Sequence, residues 1–508
     1  MMGNPDEENV GIDVAKVAFA DRDIAATIVP DRAQSIDPAI EKAVIQKIDR
    51  YYIPLMWIGY GLTYYDKAIL GAAALFGMTT DLSLVLIDSS TTPPTRDTTR
   101  LSWATSLFYF GMLGGLYPLT FLLQRFPYPR VLPWVIITWG GIVMSTAGIK
   151  SYKTLYLQRF FLGFVESIIP TAFMTIVSGT YTQQEQALRQ SWWFSATGGW
   201  TVIGGALNYG FSQIEADLRS WQYIYLFAGA LTVIFGFACF SIPNSIGTAW
   251  FLTEEERKVA VERLRIGQTG VRCQKLKVEQ VLEALVDPKI WIITLMMAAA
   301  YIINGGVSGF GPLIVSTFGY TPLESILLQF PLGAICFIFI LLSGWVSARF
   351  KDARIIQMVI YSLPVIAGCA MIWASDWSDR AVPVAGYQII GFFGPVVGLI
   401  ISTGMANVAG ATKKSFLAAS IFVAYCVGNI VGPLLVKSQT VKQHYPVLWT
   451  GVIVCYCIVI FLCGVLYAIL RLENKRRDKM DGLGEEERDR MAFLDLTDRK
   501  NIYFRYVL

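Results

Sequence analysis

The sequence predicts an all-α integral membrane protein with about twelve transmembrane helices in two six-helix bundles, on three observations. Of its 508 residues 54% are apolar and only 16% charged, with a mean hydropathy of +0.49, whereas a soluble chain is roughly one-quarter charged. Apolar stretches of about 20 residues, the length that crosses a hydrocarbon core roughly 30 Å thick, recur about twelve times. Six lie on each side of one long polar segment, so the chain divides into two similar halves.

In chain order, a polar tail spans 1–50. It lacks the basic stretch and short apolar core of a cleavable signal, so the first membrane helix is expected to direct insertion. The amino-terminal bundle, 51–242, holds apolar stretches Tyr51 to Phe76, Trp103 to Leu123, Val131 to Ile149, Thr154 to Val177, Trp192 to Gln213 and Trp221 to Ile242. A central loop, 243–289, follows; Thr253 and Glu256 form a capping box there, which predicts an interfacial helix over the charged run that follows. The carboxy-terminal bundle, 290–472, holds Ile290 to Val315, Leu323 to Ser347, Arg354 to Ala374, Ala381 to Ala409, Phe416 to Lys437 and Val447 to Leu472. The charged tail 473–508 reads as partly flexible.

Basic residues gather in alternate connectors: Arg125 with Arg130, Arg189, the central loop, Arg349 with Lys351 and Arg354, and Lys413 with Lys414. The positive-inside rule assigns that face, and with it both termini, to the cytoplasm. The net charge of +4 is spread between apolar blocks rather than gathered on one domain, which excludes the usual footprint of a nucleic-acid partner. The 8 cysteines have no ligand-like spacing, and the one histidine, His444, sits in a polar connector. No phosphate loop, metal-ligand pattern or nucleophile elbow occurs, so neither an enzyme nor an ATP-driven pump is expected, and no cofactor is called for.

An ionisable residue at the bilayer centre costs about 2.5–3.5 kcal/mol or more, so it usually faces the bundle interior and marks function. The clear cases are Asp66 and Lys67 on the first helix and Arg159 and Glu166 on the fourth. Arg159 and Glu166 are two turns apart on one face, about 10 Å along the axis, too far for an intrahelical pair. Each needs a partner elsewhere, and Asp66 is the obvious candidate. Pro170 supplies no N–H to the carbonyl of Glu166, which predicts a bend beside the acid. The alternative reading of the four charges is a buried ion network that only fixes packing, and Lys67 has the further option of snorkelling outward. The second half offers neutral groups instead, Asn304 and Asn429 among them, as hydrogen-bonding partners for a ligand or between helices. Gly111 with Gly115, and Gly198, Gly199, Gly204 and Gly205, predict close helix contacts.

Tyr65-Asp66-Lys67, Leu157-Gln158-Arg159 through Phe164-Val165-Glu166, and the loop Gly344 to Arg354 resemble the major facilitator superfamily, more narrowly its anion:cation symporter branch. Asn304-Gly305-Gly306, Asn407 to Gly410 with Lys413-Lys414, Gly428-Asn429 with Gly432-Pro433, and the closing Phe493 to Asp498 with Phe504-Arg505-Tyr506 are similar to the fungal allantoate-permease-like group. The resemblance implies proton-coupled movement of an organic anion by alternating access, with the proton gradient as driving force. By motif position it implies that Asp66 and Glu166 carry protons and that Arg159 engages the substrate carboxylate. Lys67 stands where arginine is common, keeping the charge but losing the bidentate fork. The loop Gln124 to Arg130 departs from the usual superfamily motif by lacking its acidic residue.

The expectation is therefore a monomeric secondary transporter of the plasma membrane, a proton symporter for a small carboxylate, vitamin or ureide such as allantoate, nicotinate or pantothenate. Lys67, Asn304 and Asn429 complete the expected substrate contacts. An exporter of a secondary metabolite is the alternative within the fold, and a non-transporting nutrient sensor the alternative outside it.

Overall fold

In hydrocarbon every backbone N–H and C=O must be bonded internally, which leaves helices as the natural solution for apolar runs of this length. The computed structural model follows that rule and describes residues 37–88, 95–214, 217–266, 277–350, 352–479 and 496–508. Residues 1–36, the threonine and proline stretch 89–94, and 480–495 of the tail, with the Phe493 end of the closing motif, lie outside the described residues.

The first span is the helix Pro38–Ala73, the second Thr99–Arg125 and the third Tyr128–Ser145. The fourth is built from Tyr152–Glu166 and Ile168–Thr180, the fifth from Gln183–Phe194 and Ala196–Ser212, and the sixth is Ser220–Ala238. After the central helices Glu254–Ile266 and Val278–Leu285, the seventh span is Pro288–Ser316 and the eighth Pro322–Leu327 with Gln329–Arg349. The ninth is Arg354–Ala374, the tenth Ala381–Ile389 with Phe393–Ala406, the eleventh Ala411–Leu435 and the twelfth Pro446–Asp478. Among the described residues 10 helical segments are long and apolar enough to cross a membrane on length and composition alone. The first and fifth spans are not among them. Tyrosines and the Asp66-Lys67 pair dilute the first, and the fifth is broken at Ser195 into two short pieces.

The first helix starts at Pro38, well before the apolar stretch at Tyr51, because its polar turns have docking work on the basic-connector face. Asp37 caps it by accepting from the Ala39 N–H at 2.9 Å. Lys47 then pairs with Glu256 at 2.6 Å, Asp49 with Arg189 at 3.0 Å, and Glu41 with Arg263 at 3.5 Å. The predicted capping box forms, with Thr253 N–H to Glu256 at 3.0 Å and Glu256 N–H to Thr253 Oγ1 at 3.3 Å. The helix it starts packs Ala260, Val261 and Leu264 inward. On the opposite face, strands Leu86–Asp88 and Thr95–Asp97 pair antiparallel with Leu86 opposite Asp97, and Thr98 Oγ1 meets Ser438 Oγ of the other half at 3.1 Å.

Within the first half the second span lies on the fourth, and within the second half the seventh lies on the eleventh. Glycine permits the first contact: a Cβ added at Gly111 would sit 1.9 Å from the Phe160 carbonyl oxygen, and one at Gly163 1.8 Å from that of Phe108. Across the halves the second span meets the eleventh and the fifth meets the eighth, where a Cβ at Gly198 would be 2.3 Å from the Phe337 nitrogen. Those two contacts exchange when the halves are swapped, the pattern of a chain built from two related bundles.

Candidate functional site

Successive residues of a helix point about 100° apart, so neighbouring charges on the first span face different spans. Lys67 turns toward the fourth, where its partly buried Nζ lies 2.6 Å from the fully buried Glu166 Oε1, and it also donates to the Thr63 carbonyl at 3.2 Å. Asp66, 2% exposed, turns toward the third, where Oδ2 accepts from the Trp139 indole N–H at 2.9 Å. Arg159, also 2% exposed, donates from Nη2 to the Tyr225 hydroxyl of the sixth span at 2.6 Å.

The expected pairing of Asp66 with Arg159 is thus replaced. Glu166 is held by Lys67, while Asp66 and Arg159 rest on neutral aromatic partners. The reason is helix rotation: the face of the first span that meets the fourth carries residue 67, and residue 66 is left to the third. Lys67 does not snorkel out, because a carboxylate is within reach inside. The fourth helix is interrupted at Ser167, directly after Glu166, where Pro170 denies the carbonyl its usual donor.

Three of the four groups are incompletely bonded. Asp66 Oδ1, Arg159 Nε and Glu166 Oε2 are all buried without a hydrogen-bond partner. A buried polar atom left so costs roughly 1–3 kcal/mol, more when charged. Such a cluster is a poor way to stabilise a fold, since apolar residues of similar volume often do it better. It does leave a guanidinium edge and two carboxylate oxygens able to take a new partner.

The second half brings Asn304 and Asn429 together, with Asn304 Nδ2 donating to Asn429 Oδ1 at 2.8 Å and Asn429 Nδ2 to the Tyr425 carbonyl at 2.8 Å. The two asparagines therefore join the seventh span to the eleventh. Between the halves stands an aromatic group: Tyr425 is edge-on to Tyr301 at 4.6 Å and to Tyr109 of the second span at 5.7 Å. A cavity of about 50 Å³ lies beside it, lined from both halves by Tyr65, Trp200, Thr201, Asn208, Ser308 and Gln329 among others. It reaches the residue next to Asp66, but none of the four charged side chains lines it. That volume holds a few waters and no organic ion. Sequence reasoning missed Trp139, Tyr225 and the Tyr65 to Asn208 bond of 3.0 Å. The available signal was that a buried indole or phenol needs a polar partner for its N–H or O–H.

The Major Facilitator Superfamily model matches residues 56–433. The chain is 33% identical over 506 residues to the uncharacterized transporter C757.13 of Schizosaccharomyces pombe, covering 99% of this chain and 92% of that one. It is 30% identical over 513 residues to an allantoate permease of Saccharomyces cerevisiae, covering 97% and 91%. In fold it is similar to the proton:xylose symporter XylE, with a TM-score of 0.62 at 12% identity over 84% of this chain and 96% of that one. Two helical halves, a polar site between their spans and relatives that match nearly end to end make this chain a membrane transporter of the major facilitator superfamily, in its allantoate-permease-like group.

Proposed function

We propose that the protein is a proton-coupled symporter of a small organic anion, working by alternating access with the basic-connector face and both termini in the cytoplasm of the plasma membrane. The observation that carries this reading is Arg159, a fully buried guanidinium whose one hydrogen-bonded neighbour among the described residues is the neutral Tyr225 hydroxyl and whose Nε has no partner among them. A carboxylate reaching it gains an ion pair that no described group of the resting site makes with it.

Charge bookkeeping supplies the coupling. Asp66 and Glu166 balance Lys67 and Arg159, so the resting cluster is neutral. An anion docking on Arg159 leaves one negative charge uncompensated in a low-dielectric site, and a proton on either carboxylate restores the balance. Each ligand therefore favours binding of the other by the same factor, as linkage requires. Glu166, sharing Lys67, and Asp66, held by one indole N–H, are the two proton carriers. Asn304 and Asn429 offer amide groups for the uncharged part of the anion. The allantoate permease relative supports a ureide or carboxylate substrate class.

The test is uptake into proteoliposomes under an imposed pH gradient, screened over allantoate, nicotinate and pantothenate. Glu166→Gln is expected to abolish accumulation while keeping substrate exchange, and Arg159→Ala to lose anion binding while keeping a folded chain. Unchanged accumulation by Glu166→Gln removes the proton role. Normal anion affinity in Arg159→Ala returns the cluster to a packing function.

A further inference from the structure

Residues 496–508 form a polar insert wedged among the ends of the second half's spans on the basic-connector face. Asp498 is fully buried and bonds both Lys289, at the start of the seventh span, and Lys413, at the start of the eleventh, the latter at 2.8 Å. The Tyr506 hydroxyl donates to the same carboxylate at 2.8 Å, and Asp287 adds a contact to Lys413 at 2.7 Å. A lysine in the first turn of a helix opposes the helix dipole, so two of them there need anions close by.

The rest of the insert is bonded just as closely. Arg477, from the end of the twelfth span, donates to the carbonyls of Asp498 at 2.8 Å and Phe504 at 2.7 Å. Asn407, at the end of the tenth, donates to the Val507 carbonyl at 2.8 Å and accepts from its N–H at 2.7 Å. Thr497 reaches Glu283 of the short helix before the seventh span at 2.8 Å. All of these partners belong to the second half or to the short helix that leads into it.

Asp498 ties together the same two spans that Asn304 and Asn429 join deeper in. From Lys289 to Asn304 the helix rises about 22 Å, and from Lys413 to Asn429 about 24 Å, at 1.5 Å per residue. The two ties are thus set at matching heights on both helices. We propose that segment 496–508 is a clip, with Asp498 as its positioning residue, that fixes the axial register of the seventh and eleventh spans and so holds Asn304 opposite Asn429. The clip is independent of which anion is carried; only its meaning for transport rests on reading the two asparagines as facing the ligand.

The experiment needs no substrate, so its outcome is separable from the uptake tests. In nanodiscs holding the full chain with Asn304→Cys and Asn429→Cys, two rates are measured: copper-phenanthroline formation of the 304–429 disulfide, identified by mass spectrometry, and trypsin cleavage after Arg499 and Lys500. Loss of a charge-assisted tie predicts that Asp498→Asn speeds cleavage and slows the disulfide, each by about 10-fold, whereas Asp498→Glu stays within about 2-fold of the parent. Should Asp498→Asn fail to fold, Asn407→Ala removes two hydrogen bonds without unbalancing charge and is expected to move both rates in the same directions by about 3-fold. A freed segment with an unchanged disulfide rate overturns the register role. A segment that stays protected in every variant overturns the clip.

Discussion

Trp139 and Tyr225 do the same job from opposite sides of the site: each holds one charged group with a neutral donor or acceptor instead of a counter-ion. The choice leaves Asp66 and Arg159 free to exchange partners, which a tight ion pair between them would resist. Trp139→Phe keeps an aromatic body and removes the N–H, so both Asp66 oxygens become unbonded. A penalty of this kind is worth about 10-fold, and gradient-driven uptake is expected to fall by that much while binding of the anion at Arg159 persists. Uptake and equilibrium binding measured side by side on the variant check this, and equal losses in both would assign Trp139 to packing. The four charges were legible in the sequence because each violates the apolar rule of its span. Their partners were not, since the rotation of one helix against another sets them and an apolar run does not encode it.

Asp498 gives the residue scale its pH dependence, outside the spans. Burial alone pushes its carboxyl up, but the Lys289 and Lys413 ammonium groups outweigh that and hold it below the ordinary carboxylate range. Lys289, Lys413 and Tyr506 touch it, with Asp287 and Glu283 as the further acids on those lysines. A group depressed in the folded state lends stability that is fully present above its unfolded pKa, about 3.9 for Asp, and is lost as pH falls through the lower folded value. Hydrogen exchange is therefore expected to find the Tyr506 and Val507 amides, bonded to Asn474 and Asn407, equally protected from about pH 7 to 5 and released only below the ordinary Asp range. Loss of protection near neutrality would contradict the account. In the sequence this segment belongs to a charged tail that reads as partly flexible; the burial of Asp498 within it was not legible, because the lysines that pair with it lie far away along the chain.

At the scale of elements, the second and fourth spans are joined by backbone surfaces that glycine alone allows to touch. Gly163→Val would drive its side chain into the Phe108 carbonyl, which stands 1.8 Å from the position of a Cβ. Overpacking against backbone costs typically about 1–3 kcal/mol, so a clear fall in thermal midpoint in detergent is expected. Because the fourth span carries both Arg159 and Glu166, the same change also displaces the site, and uptake should drop even where the chain still folds. An unaltered midpoint would show that the spans can separate at little cost. Element existence was legible from apolar length, and the close approach at Gly111 and Gly115 from their spacing, whereas Gly163 carried no such signal. The start of the first span at Pro38 was not, since its polar turns are held by Glu256, Arg189 and Arg263 rather than by lipid. The break at Ser167 followed from Pro170 alone, as a missing donor is a purely local fact.

At the scale of the whole molecule, every ion pair between described residues stays within one half and its adjoining part of the central loop. Lys67 with Glu166 lies in the first half, and Lys289, Lys413 and Asp498 in the second. Contacts across the halves are aromatic, glycine-lined or neutral, such as Ser106 Oγ to the Ile430 carbonyl at 3.1 Å and Thr98 to Ser438. Under the proposed alternating access, rocking one bundle against the other therefore breaks no ion pair among the described residues.

The division of the central loop has a consequence for biosynthesis. Its first helix, Glu254–Ile266, is pinned to the beginning of the chain, whereas Val278–Leu285 is pinned to the end of it. Each half thus emerges from the ribosome already carrying its own piece of the loop, and neither waits for the other to complete the ion pairs of its described residues. Two separately translated polypeptides, one ending at Ile266 and one beginning at Lys277, are accordingly expected to meet in the membrane and co-purify as a working carrier. Failure of the pair to associate when each is inserted and stable would mean that covalent continuity, rather than matched surfaces, holds the transporter together.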